Sequence, residues 1–321
     1  MPTCNDTNIH PATFLLASIP GLGPDRLWIS IPFCLLYLTA ILGNGLILFV
    51  VKSQRNLHQP MYFFLSMLSV TDLGLSASTM PTVLGVFLFN AREIDIDVCL
   101  AQLFFIHTFS IMESSVLLAM AFDRFVAIRH PLQYISTLTD SRIGNIWVAS
   151  IIRGSGLHIP AVILLKWLPY SGIQPLSYSY CLHPDVMKVA CADTTPNSFY
   201  GLFIVLSTLV LDSVLIVLSY ILILRTVLSI TSWRERLKAL NTCVSHICAT
   251  LLFYTPLISL SMIHRFKEKA LPESQILLSY LHLLFPPVLN PIIYSIKTKE
   301  IRKQIKKIFQ DYSAKRFQCE Y

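Results

Sequence analysis

Residues 27–51 read LWISIPFCLLYLTAILGNGLILFVV, 25 consecutive positions without a charge. A helix of about 20 mostly apolar residues crosses the bilayer core, so this stretch is long enough to span it. Working outward, six more stretches qualify: residues 60–89, interrupted only by Asp72; 98–122, interrupted only by Glu113; 143–165; 197–224, with Asp212 inside; 239–263; and 274–296. The fourth is the weakest, carrying Arg153, His158 and Pro160 among glycines. The whole chain agrees. Of its 321 residues 13% are charged and 54% hydrophobic, with a mean hydropathy of +0.61. A soluble domain could not hide that apolar surface with so few charges, which excludes a disordered chain, a nucleic-acid tail and an ordinary cytosolic enzyme. The reading is an all-α polytopic membrane protein with seven transmembrane helices.

Charge then sets the expected orientation. With the N-terminus outside, the inner segments hold 17 basic and six acidic residues, and the outer side, counting Arg153 with it, holds eight and nine. The positive-inside rule favours N-terminus outside and C-terminus inside. The net +7 therefore points to a basic inner membrane surface and not to a nucleic-acid partner. Residues 1–26 are read as an outer tail, 27–296 as the seven-helix domain and 297–321 as a cytoplasmic tail. The outer tail lacks a signal-peptide n-region, and its apolar stretch near Phe14 is broken by Pro20. Asn5-Asp6-Thr7 is a glycosylation sequon on that side. In the tail, Ile301, Ile305, Ile308 and Phe309 form one stripe between lysines and arginines, the pattern of an amphipathic helix lying on anionic lipid.

Cys99 at the outer mouth of span three and Cys181 in the long loop before span five both face the oxidising side, as do Cys4 and Cys191. Spacing alone leaves their connectivity open. Cys243 and Cys248 read as core packing, and Cys319 as a free thiol before a palmitoylation site.

Several motifs recur in order along the spans. They are Gly43-Asn44; Leu57-His58-Gln59-Pro60-Met61-Tyr62-Phe63-Phe64; Met120-Ala121-Phe122-Asp123-Arg124-Phe125-Val126-Ala127-Ile128; Ser219-Tyr220; Lys238-Ala239-Leu240-Asn241-Thr242-Cys243-Val244-Ser245-His246; and Pro286-Pro287-Val288-Leu289-Asn290-Pro291-Ile292-Ile293-Tyr294. Together they resemble the odorant receptors among rhodopsin-like G-protein-coupled receptors. The segment Ser179–Lys188 and His264-Arg265-Phe266 resemble the fish-like, class I branch, which is associated with carboxylic acids and other polar odorants. Phe125 and Arg129 depart from the family pattern, where Tyr and Cys are usual. Ser171 stands where another loop cysteine is common, which would leave Cys191 unpaired if that residue is its usual partner. Only Cys99–Cys181 is therefore expected as a disulfide.

The resemblance implies roles. Asp123, Arg124, Tyr220, Lys238, His246 and Tyr294 would form the switch that meets a stimulatory, olfactory-type G protein, with span six moving outward to free Arg124. Without the motif, Arg124 reads as an interfacial charge. Asn44, Asp72, Glu113 and Asn290 would form a polar core. Two adjacent carboxylates point either to a bound sodium ion, the one cofactor considered, or to a shared proton, and both stay open.

In the outer half, His107 lies eight residues, about 12 Å, deeper than Cys99 along span three. On span six, Arg265, Ser261 and Leu257 descend on one face toward Phe253 and Tyr254. That gradient fits an amphiphile with its anionic head at Arg265 and its tail inward. On the residues alone a snorkelling anchor is the favoured reading of Arg265, and the resemblance reverses the preference. His183, just after Cys181, is placed to cover the head group or to face water. Asp212 is expected to hydrogen-bond Tyr254.

The competing readings are a transporter or channel using the intramembrane carboxylates, a retinal protein and an enzyme. No inverted repeat supports the first. Span seven has no internal lysine for retinal, and no nucleophile–base motif or metal cluster supports an enzyme. A typical amine receptor is disfavoured because span three has no acid above Glu113. The expectation is a plasma-membrane odorant receptor that raises cAMP, in contact with membrane lipid.

Overall fold

In a computed structural model, residues 13–17, 26–171, 173–266 and 272–319 are described. Seven helices are long and apolar enough to cross a membrane. They are α1 (Arg26–Ser53), α2 (Pro60–Phe89), α3 (Ile96–Arg129), α4 (Asp140–Lys166), α5 (Thr195–Leu228), α6 (Trp233–Phe266) and α7 (Pro272–Lys297). An eighth helix, α8 (Lys299–Cys319), follows at once.

Local chemistry sets several of the ends. Pro60 opens α2, where its missing N–H costs nothing. The same helix stops at Asn90, whose φ of 56° is left-handed and whose N–H returns to the Gly85 carbonyl. Asp95 caps α3 by accepting from the Asp97 amide at 2.8 Å. The apolar flank of α1, including Ile31, Leu35, Leu38 and Leu42, is about half exposed. In water this would be an aggregation surface; on a spanning helix it is the lipid face.

At the centre, α3 packs against α2, α4, α5 and α6. In α8, Ile301 is buried and Ile305 and Ile308 pack on the core cluster, so the apolar stripe docks the helix back under the bundle. The Phe309 side chain lies outside the described residues.

At the end of the bundle that carries Cys99 there is an element the sequence reading lacks, a three-stranded sheet in the order β2-β1-β3. Strand β1 (Thr13–Leu15) pairs antiparallel with β2 (Glu93–Asp95) and parallel with β3 (Gln174–Pro175), aligning Phe14 with Ile94 and Gln174. Phe14 is fully buried and meets the Tyr170 ring edge-on at 5.3 Å. The apolar stretch near Phe14 is thus a strand of the mouth.

The Cys99–Cys181 disulfide joins α3 to the long loop, with its Cα atoms 5.5 Å apart. Gln102, one turn deeper, reinforces the junction. Its Nε2 donates to the Ser78 carbonyl at 2.9 Å and to Thr82 Oγ1 at 2.6 Å, and its Oε1 accepts from the Cys181 amide at 2.9 Å. One side chain so ties α2, α3 and the loop together. Cys191 is also disulfide-bonded, a pairing the sequence reading left open.

Candidate ligand cavity and switch

Beneath that loop, α3, α4, α5 and α6 enclose a cavity of about 220 Å³. His107 and Ser110 come from α3, His158 from α4, Thr208 from α5, Leu257 and Ser261 from α6, and His183 from the loop. No Asp or Glu is among its lining residues. His107 and His158 stack with ring centroids 5.1 Å apart and planes 9° from parallel. This closeness rests on Gly154, where a Cβ would come within 2.9 Å of the Thr108 carbonyl, so only glycine lets α4 approach α3 here.

Below the cavity lies a buried polar network. Ser114 Oγ donates to Asp212 Oδ2 at 2.7 Å and lies 2.7 Å from Tyr254 Oη. A serine has one proton, so with it committed to the carboxylate the Tyr254 hydroxyl is the donor to Ser114. Arg153 holds the same carboxylate bidentately, at 2.8 and 2.9 Å, and donates to Ser115 Oγ at 3.0 Å and the Ser207 carbonyl at 2.8 Å. Ser207 lies in a wider π-helical turn of α5, Leu206–Val210. Two opposite charges inside the membrane thus neutralise each other with their hydrogen bonds filled.

Three sequence expectations are corrected here. Asp212 reaches Tyr254 through Ser114 and not directly. Tyr254 lies beneath the cavity and outside its lining, because its hydroxyl is drawn to Ser114. Arg153, counted with the outer side, is an intramembrane ion-pair partner. Arg265 falls at the end of α6, and its side chain lies outside the described residues, as does Asn5.

Farther down sits the polar core. Asn290 Nδ2 donates to both Asp72 oxygens, at 3.1 and 3.2 Å. Asn44 Nδ2 does not join them; it donates to the Pro287 carbonyl at 2.8 Å. The cause is four residues on: Pro291 has no N–H, so the Pro287 carbonyl lacks its helical donor and Asn44 supplies one. Both Glu113 oxygens are buried and make no hydrogen bond, with Asp72 and Asn290 as polar neighbours.

At the Arg124 end, Asp123 Oδ2 accepts from Arg124 Nε at 3.0 Å and Nη2 at 2.6 Å, and Asp123 Oδ1 accepts from the Tyr134 hydroxyl at 2.6 Å. Burial, and the carboxylate beside it, push the Tyr134 phenol above its ordinary range, so it stays a donor. Tyr220 makes no hydrogen bond to Arg124. Its hydroxyl lies 2.7 Å from His246 Nδ1, while His246 Nε2 faces the Leu117 carbonyl at 2.9 Å. A carbonyl only accepts, so Nε2 carries the proton and Tyr220 donates to Nδ1. Tyr294 is buried with its hydroxyl 4.0 Å from Met120 Sδ, and Lys238 is exposed on α6.

Residues 33–312 match the family described as olfactory receptor. The chain is 59% identical to olfactory receptor 51G2 of Homo sapiens over 305 residues, 95% of this chain and 97% of that one. It is 54% identical to human olfactory receptor 51F2 over 96% of this chain and 90% of the relative, and 56% identical to human olfactory receptor OR51C1 over 92% and 95%. The chain belongs to the olfactory receptor family. It is a multi-pass G-protein-coupled receptor, and that family is not one of enzymes.

Within this receptor the structure brings His107, His183, Leu257 and Ser261 to one cavity, and Asp72 and Asn290 into contact. It adds residues the sequence reading passed over: His158, Ser114 and Gln102. Two signals could have pointed to the Arg153–Asp212 pair. Its opposite charges stand on consecutive spans, and an unpaired intramembrane charge is rare.

Proposed function

We propose that this receptor binds a small carboxylic acid, or a similarly polar odorant, in the cavity beneath the Cys181 loop and answers by activating a stimulatory, olfactory-type G protein that raises cAMP. The lining carries the reading: several hydroxyls and the rings of His107 and His183 offer hydrogen-bonding groups, no carboxylate among the lining residues repels an anion, and Arg265 lies at the end of the helix that contributes Ser261. The cavity of about 220 Å³ lies at the small end of ligand pockets, which suits a small odorant.

The route to the switch runs through Ser114, where α3, α5 and α6 meet. A ligand pulling on α3 and α6 above this point shifts Tyr254, and with it the part of α6 that carries His246, the hydrogen-bond partner of Tyr220 on α5. In the present arrangement Arg124 is locked on Asp123, the state that ligand would have to unbalance. Asp72 and Glu113 supply the oxygen donors a sodium ion requires, and the undonated Glu113 oxygens fit either that ion or a proton. The plasma membrane, with the N-terminus outside, is the location this reading requires. Of the charges that motivated an ion path, Arg153 and Asp212 count against it, since they close on each other.

The test is a cell-based cAMP assay with a panel of short fatty acids and neutral odorants. Acids are expected to evoke cAMP in the wild type and to lose about tenfold or more in potency in Arg265→Ala, the scale of a charge-assisted hydrogen bond. A normal acid response in the variant overturns the head-group assignment, and a ligand-evoked current without G protein overturns the receptor mechanism.

A further inference from the structure

The stacked histidines present an arrangement that a plain fatty acid leaves unused. His158 Nδ1 lies 3.1 Å from the Gly154 carbonyl of its own helix. That acceptor fixes the proton on Nδ1, so the opposite nitrogen, Nε2, is the one left for the cavity, and in the neutral ring it is an acceptor. His107 Nε2 is buried with no hydrogen-bond partner, although its ring lines the same cavity. A buried, unpaired ring nitrogen is costly to keep, and a group entering the cavity would satisfy it. His158 itself is only 5% exposed, held between the Gly154 backbone and the His107 ring.

We propose that His107 and His158 form a hydroxyl-binding subsite, and that the receptor's preferred ligands are small hydroxy-carboxylic acids. The inference rests on the acid reading above and adds a second polar group to the ligand. A hydroxyl donates to His158 Nε2, and its oxygen remains able to accept from His107 wherever that ring carries its proton on Nε2. A ketone or carboxylate only accepts and meets the His158 lone pair head-on. A methylene leaves both nitrogens unpaired. His158 is thus a specificity-determining residue, fixed by the Gly154 carbonyl behind it, and its action needs no change in the acid-binding end.

The experiment uses the full-length receptor with an N-terminal epitope tag, so that surface level is measured alongside cAMP. The probes are pentanoic acid, the hydroxypentanoic acids with the hydroxyl at each carbon from the second to the fifth, the matching oxo acids, 1-pentanol and the pentanediols. In the wild type at least one hydroxy acid is expected to be about tenfold more potent than pentanoic acid and than its oxo counterpart. His158→Leu abolishes that preference, so that the hydroxy acid and pentanoic acid become equally potent within the variant. His158→Gln, whose amide oxygen restores an acceptor, keeps part of it. If His158→Leu fails to reach the surface, the wild-type potency ratio and His158→Gln decide. The proposal is overturned if no hydroxy acid exceeds pentanoic acid in the wild type, or if the preference survives His158→Leu. A response to 1-pentanol or the pentanediols, lost in His158→Leu, with silence toward every acid, overturns the acid reading and supports the subsite. Silence toward every probe at normal surface level overturns both.

Discussion

Arg153 and Asp212 show how far a single residue can be read. Their spans were visible as apolar stretches, but an isolated charge in such a stretch has no partner until the helices are packed. Once packed, the carboxylate is filled by the guanidinium and by Ser114, and neither charge is free. Removing one partner leaves the other buried and uncompensated, a penalty of about 3–5 kcal/mol. Arg153→Leu and Asp212→Leu are therefore each expected to lose most surface expression, and the double variant to regain part of it. Surface staining of intact cells measures this, and equal loss in the double variant would contradict the pairing. At the other end, Tyr134→Phe removes the donor on Asp123 Oδ1 and loosens the anchor of Arg124. Ligand-independent cAMP is expected to rise severalfold, and an unchanged basal level would argue that Tyr134 only packs.

Among the elements, α7 is the clearest case of sequence dictating geometry. Pro291 strips the Pro287 carbonyl of its helical donor, and α1 answers with Asn44. Asn44→Leu should orphan that carbonyl at a cost of about 1–3 kcal/mol, and adding Pro291→Ala should recover part by restoring an N–H. Thermal unfolding of purified receptor in detergent reads both. No recovery in the double variant would mean that Asn44 matters through Ala40 or packing alone. The close approach of α3 and α4 at Gly154 was not legible in the same way. A glycine in an apolar span signals small size, but the helix it faces is a tertiary fact. The strand β1 was missed for a related reason: three residues, Thr13–Leu15, carry too little pattern to be told from a tail, and their strand partners lie far along the chain.

For the whole molecule, most of the architecture was legible because lipid imposes a length and a polarity on every span. The seven helices and the apolar stripe of α8 follow from residues that could be pointed to in the chain, whereas the Cys99–Cys181 bridge came from the family resemblance and the docking of α8 under the bundle only from the fold. The candidate site was legible only in part. His107, Ser261 and Leu257 descend along predicted faces, whereas His158 and Ser114 gain meaning from helices that meet only in the folded bundle. The same scale governs the mouth, where the disulfide and Gln102 hold the loop that roofs the cavity. Cys99→Ser or Cys181→Ser is expected to abolish surface display, and Gln102→Leu to reduce it and weaken ligand potency. A fully displayed, fully responsive Cys181→Ser would show that the roof is dispensable.

The central claim is that the cavity between α3, α4, α5 and α6 is where the odorant acts. Ala161 lines it and is only 1% exposed, so Ala161→Phe fills space a ligand would need. The most direct measurement is the cAMP concentration–response to short carboxylic acids in Ala161→Phe and wild type at matched surface level. The account predicts that the variant loses the acid response, and an acid response of unchanged potency would contradict it.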